Sequence, residues 1–150
     1  MSRSNPAARA LARLQKSTDM KSDPDPLVGA AVLVVDDDVD LLRTLARRFH
    51  LAGSRVTVAK DGAEALAWFR QSTPTIVVTD ILMPNREGVE TIMAMKARSS
   101  EVKILAISGG GMLGAAGVLD LASRLGADAV LAKPFRSEQV LDAVRKLIDS

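Results

Sequence analysis

The sequence contains no cysteine and no tyrosine, and aromatic residues make up only 3% of it, one Trp and three Phe in 150 residues. The missing thiols exclude disulfide scaffolds, cysteine zinc sites and thiol catalysis, and they point to a cytoplasmic protein. So few rings leave nothing from which to build the stacking platforms that single-stranded nucleic acids require. No apolar run approaches the roughly 18 residues of a membrane-spanning helix, so no membrane contact is expected. Charge of one sign is scarce as well: 20 Lys plus Arg against 18 Asp plus Glu leave a formal net charge of +2. Five basic residues (Arg3, Arg9, Arg13, Lys16, Lys21) and three acidic ones (Asp19, Asp23, Asp25) fall in the first 29, so the surplus lies there and residues 30–150 carry 15 of each sign. A neutral domain offers no basic face, and direct DNA binding is not expected.

What is present is a chain that is 47% hydrophobic, enough for one well-buried domain. Residues 1–29 read as a disordered basic extension, with Met20 as an alternative start, and Ser22-Asp23-Pro24-Asp25-Pro26 reads as a linker that keeps the tail off the domain. Leu11 and Leu14 allow a short amphipathic helix within it. From residue 30 onwards two hydrophobic periods alternate, as in α/β architecture. Strands are expected at 31–35, 55–59, 75–79, 102–107 and 128–132, the first a continuous apolar run suited to burial on both faces. Helices are expected after each, with Asp61 opening the second, the third spanning about 87–98, the fourth ending near Gly126, and Ser137 capping the fifth. Five such units make an open doubly wound parallel sheet, since eight would be needed to close a barrel.

In such sheets chemistry gathers beyond the carboxyl ends of the strands. The first strand ends in Asp36-Asp37-Asp38, the third in Asp80, the fourth in Ser108 and the fifth in Lys133. Clustered carboxylates repel one another unless a cation is supplied, and the fitting cations are Lys133 and a hard divalent ion that takes oxygen ligands. Mg²⁺ commonly joins one or two carboxylates to a phosphoryl oxygen, so phosphoryl transfer is the indicated chemistry. Asp38 suits a different task, capping the helix that starts at Val39. His50, Trp68, Met93 and Met95 read as structural residues.

Val34-Val35-Asp36-Asp37-Asp38, Asp80-Ile81-Leu82-Met83-Pro84-Asn85 with Gly88 following, Ser108 after Ile104-Leu105-Ala106-Ile107, and Gly126-Ala127-Asp128 leading to Lys133-Pro134-Phe135 together resemble the receiver domain of two-component response regulators. The resemblance covers about residues 30–150 and implies a flavodoxin-like (βα)5 three-layer sandwich with strand order 2-1-3-4-5. It implies that Asp80 accepts a phosphoryl group from the phosphohistidine of a sensor histidine kinase or phosphotransfer protein. It further implies that Asp36, Asp37, Asp80 and the Leu82 backbone carbonyl hold Mg²⁺ or Mn²⁺. Lys133 would bind the acyl phosphate, its bond to Pro134 would be cis, and Ser108 would turn towards the phosphoryl oxygens. The usual contact surface for a downstream protein target is the face of the fourth helix, fifth strand and fifth helix. Because only Arg145 to Ser150 remain at the end, a stand-alone receiver is expected, a phosphoacceptor with slow self-dephosphorylation rather than a turnover enzyme.

Two features depart from the family pattern. Val130 stands where an aromatic residue commonly sits three positions before the lysine, which shifts the expected switch to the glycine-rich loop 108–114. Leu82 and Gly110 offer no side chain to orient an attacking water, so water access is expected to set the lifetime of the phosphorylated form. Two rival functions remain: a pseudo-receiver that binds partners without phosphorylation, and a phosphatase resembling the haloacid dehalogenases with Asp36 as its nucleophile.

Overall fold

A computed structural model describes residues 6–7, 23–81, 87–109, 114, 117, 120 and 124–150. Five parallel strands, β1 (Ala31–Val35), β2 (Arg55–Ala59), β3 (Ile76–Asp80), β4 (Lys103–Ser108) and β5 (Ala129–Ala132), form one sheet in the order β2-β1-β3-β4-β5. The labelled helices are α1 (Val39–Leu51), α2 (Gly62–Gln71), α3 (Glu87–Arg98) and α4 (Ser137–Asp149). Residues 114, 117, 120, 124 and 125, between β4 and β5, are helical too.

Alternation along each strand divides the core into two layers. Leu33, Val35, Val77, Ile104 and Ala106 face Ala65 and Phe69 of α2 and Ile92 and Met95 of α3. Val32, Val34, Ile76, Val78, Leu105 and Ile107 face Leu42, Leu45 and Phe49 of α1 and Val140, Leu141 and Val144 of α4. A central strand with helices on both faces has no solvent side, which is why β3 is buried along its whole length. Arg48 of α1 pairs with Glu138 of α4 across the rim of the second layer.

Helix ends follow local chemistry. Asp38 caps α1, its carboxylate accepting from the N–H groups of Asp40 at 3.0 Å and Leu41 at 3.2 Å. Asp61 caps α2, accepting from Glu64 N–H at 2.8 Å. Beyond α1, Gly53 adopts φ +94°, a left-handed conformation that suits glycine. Ser137, expected as the cap of the last helix, is instead its first residue. The cap is Arg136, whose N–H donates to Gln139 Oε1 at 2.8 Å, so a side chain from inside the helix does the capping.

Packing begins before residue 30. Leu27 is fully buried in the α1–α4 layer, and its carbonyl accepts the Ser54 hydroxyl at 2.6 Å. Asp25 receives the Arg145 guanidinium of α4, Nε at 3.1 Å to Oδ1 and a terminal nitrogen at 3.0 Å to Oδ2. Asp25 to Gly29, expected within the extension, therefore lie against the domain. Leu11 and Leu14 lie outside the described residues.

Candidate functional site

Strand order reverses between β1 and β3, because the chain leaves β1 for the edge at β2 and returns on the other side. A crevice opens at the carboxyl ends of the two strands flanking such a reversal. Val35 pairs with Thr79, so the next residues, Asp36 and Asp80, stand side by side at that crevice. Asp80 was expected just past its strand; it is the final residue of β3 and pairs with Ile107 of β4. Ser108 ends β4 opposite Ala132, and Lys133 N–H donates to the Ser108 carbonyl at 2.7 Å.

From the end of β5, Lys133 reaches back across β4. Its Nζ donates to Asp36 Oδ2 at 3.2 Å and to Asp80 Oδ2 at 3.1 Å. Asp36 and Asp80 are buried, at 1% and 6% exposure, whereas Asp37 is exposed. Carboxylate oxygens of Asp36, Asp37 and Asp80 all lie within 4.8 Å of one another, the spacing of ligands around one cation. Ser108 is fully buried at the same edge, and the Lys133–Pro134 peptide bond is cis. Leu82, Gly110 and most of the glycine-rich loop lie outside the described residues.

The electrostatics show a shortage of positive charge. Burial pushes the Asp36 carboxyl above its ordinary value and the Asp80 charge adds to this, outweighing the Asp38 N–H and Lys133, which favour ionisation. For Lys133 burial disfavours the charge, yet its bonds to Asp80 and Asp36 prevail and hold the ammonium above its ordinary value. Burial thus governs Asp36 and the two bonded carboxylates govern Lys133, while three carboxylates with the Lys133 ammonium leave the cluster with a formal charge of −2. A divalent cation would supply the missing two charges, and an all-oxygen donor set is what a hard ion such as Mg²⁺ selects.

The three adjacent acids of the β1 end thus separate into three surroundings. Asp36 turns into the crevice, Asp37 stays at its mouth, and Asp38 caps α1. Sequence reasoning missed the bond from Asp38 N–H to Asp36 Oδ1, 2.9 Å, which no motif announces. Val130 is half-buried against the α2–α3 layer, in register with Ala106.

An open parallel sheet of this order, with an acid cluster and a lysine at its switch point, is the arrangement of the two-component receivers. The response regulator receiver domain family matches residues 32–145, and the chain belongs to it. It is similar to the transcriptional regulatory protein PrrA of Mycobacterium tuberculosis, 38% identical over 119 residues that make up 78% of this chain and 49% of that protein. The chain spans about half the length of the curated relatives it matches. Among solved structures it is similar to the chemotaxis response regulator CheY4 of Vibrio cholerae, with 27% identity, TM-score 0.72, and coverage of 80% of this chain and 99% of the other. A CheY-like receiver from Methanospirillum hungatei shares the fold with TM-score 0.73 at 23% identity, covering 81% and 94% of the two chains. Among the described residues no helix is long and apolar enough to cross a membrane.

Proposed function

We propose that this chain is a phosphoacceptor that takes a phosphoryl group onto Asp80 from the phosphohistidine of a sensor histidine kinase or phosphotransfer protein, with Mg²⁺ or Mn²⁺ as cofactor. The observation that carries this reading is Lys133 Nζ lying between Asp36 Oδ2 and Asp80 Oδ2, beside a third carboxylate. An Asp80 oxygen attacks phosphorus as the phosphorus–nitrogen bond of the donor breaks. The imidazole leaves with the bonding pair, and the carboxylate becomes an acyl phosphate. Asp36, Asp37 and Asp80 would hold the metal, with the Leu82 carbonyl as a further ligand. When bound, the ion supplies positive charge to the phosphoryl oxygens. Lys133 keeps one or more of its three donors for those oxygens as Asp80 is modified, and the Ser108 hydroxyl donates to a remaining phosphoryl oxygen.

The readout is a protein-contact surface on the side of residues 114–125, β5 and α4. Val130 supplies no ring to couple Ser108 to that face, so the loop after Ser108 carries the change. Water reaching the acyl phosphate then resets the domain slowly, without the repeated turnover of an enzyme.

Incubation with Mg²⁺ and a small acyl phosphate, followed by mapping of the labelled carboxyl, tests the assignment. Label on Asp80 is the expected result. Label on Asp36 would support the phosphatase reading, and no label the pseudo-receiver.

A further inference from the structure

Four acids crowd this edge, and Asp38 differs from the other three. It lies outside the trio whose oxygens approach within 4.8 Å, and it is exposed. Its carboxylate is turned away from the crevice onto α1, where Oδ1 accepts from the N–H groups of Asp40 and Leu41. Its backbone faces the other way, and its N–H donates to Asp36 Oδ1 at 2.9 Å. One residue thus grips the helix with its side chain and the buried carboxylate with its main chain.

The geometry points to Asp38 as a positioning residue for the cation site: its cap on α1 holds the backbone whose N–H orients the Asp36 carboxylate. This inference rests on the proposed metal reading. The reasoning follows from the two ends of Asp36. Oδ2 is held by Lys133, a long side chain that also serves Asp80 and has several ways to arrange itself. Oδ1 is held by a main-chain N–H, which moves only if the backbone moves. The backbone at Asp38 is extended, φ −79° and ψ 103°, between a strand and a helix. An extended residue at the N-cap is maintained by the side-chain bonds it makes to the first turn. Remove those bonds and residue 38 is released to sample other conformations. The N–H then leaves Asp36, and the carboxylate is free to turn about its own χ angles. A buried ligand oxygen that is no longer held costs metal affinity, because ordering it is then paid at binding; loss of such an outer partner typically costs on the order of tenfold or more.

Charge and position are separable at this residue. Asn and Ser cap helices as well as Asp does, yet both are neutral. Asp38→Ala removes cap and charge together, Asp38→Asn and Asp38→Ser remove only the charge. Asp61→Ala serves as a control, since it strips the corresponding cap from α2 without touching the acid cluster.

Mn²⁺ alone, titrated by electron paramagnetic resonance into the full chain, measures affinity. Amide hydrogen exchange at residue 38 in metal-free protein measures the held N–H independently of any ion. The expected result is roughly tenfold weaker Mn²⁺ binding and at least tenfold faster exchange in Asp38→Ala. Asp38→Asn and Asp38→Ser stay within about twofold of the parent in both, and Asp61→Ala loses thermal stability but not affinity. Parent-like exchange and affinity in Asp38→Ala would overturn the inference, as would Asp38→Asn weakening as much as Asp38→Ala, which would make charge alone responsible. If the parent protein binds no Mn²⁺, the metal reading fails, and the exchange data still decide whether the cap holds the N–H.

Discussion

Gly88, in the first turn of α3, stands so close to Asp80 that a β-carbon on it would come within 2.5 Å of the Asp80 carbonyl oxygen, 2.7 Å of Ile81 Cα and 2.9 Å of the Ile81 carbonyl carbon. All three obstacles are backbone, which has no rotamer to move into. The helix start is thereby packed directly onto the strand end that carries Asp80. Gly88→Ala is expected to destabilise the domain by about 1–3 kcal/mol, the usual cost of forcing an extra carbon into a packed site. Thermal unfolding checks this, and the same variant should take up label at Asp80 more slowly because the strand end is displaced.

Lys133→Met retains an apolar stem and deletes the ammonium that bridges Asp36 and Asp80. At neutral pH without divalent cation the variant should lose roughly 1–3 kcal/mol, the cost of taking a charged hydrogen-bond partner from two buried carboxylates. The folded pKa of Asp36 lies above its ordinary 3.8, so burying it costs nothing below that value and progressively more as pH rises through the folded pKa. The gap between variant and parent should therefore narrow as pH falls through the folded pKa towards 3.8, as Asp36 takes up its proton. Urea unfolding at the two pH values measures it, and an equal gap at both would point away from Asp36.

Asp37 is exposed, so Asp37→Asn should leave metal-free stability within about 0.5 kcal/mol of the parent. Its effect belongs to the bound state. Saturating Mg²⁺ at about a hundred times its dissociation constant should stabilise the parent by roughly 2.7 kcal/mol, and chelation should reverse this. The same Mg²⁺ concentration should stabilise Asp37→Asn much less, as calorimetric scans with and without the ion would show.

The bond between Asp25 and Arg145 predicts a pH dependence of opposite sign to that of Asp36. The Arg145 guanidinium holds the Asp25 carboxyl below its ordinary 3.8, with help from the Leu27 N–H and against a modest burial penalty. The pair's contribution is thus present above 3.8 and disappears as pH falls through the lower folded value. Both side chains are about one-third exposed, so Asp25→Asn should cost no more than about 1 kcal/mol at neutral pH. The difference should vanish in strong acid, and a cost unchanged there would mean that the Asn disturbs the packing of Leu27 instead.

Much of the fold was open to reading from the sequence because strand and helix periods are local. The β-branched run at 31–35 and the pattern at 55–59 coincide with β1 and β2, and α3 spans 87–98 as expected. The remaining strand ends moved by about a residue, and for Asp80 that shift mattered, since it fixes the residue's backbone in the ladder to β4. Leu27 and the Asp25–Arg145 pair were not readable, because nothing local distinguishes a proline-flanked linker from a segment that is laid against a helix 120 positions later.

By itself the sequence determined the inventory: which residues end the strands, that they are acids, a hydroxyl and a lysine, and that one parallel sheet gathers them on one edge. Tertiary structure alone decided their roles. Three consecutive aspartates look equivalent in a string, but a strand end meeting a helix start turns one inward, leaves one at the mouth and spends one on a cap. The distance from Lys133 to Asp36 and Asp80 depends on the order of five strands and on their register. Those are set by long-range packing, and no stretch of the chain states them alone.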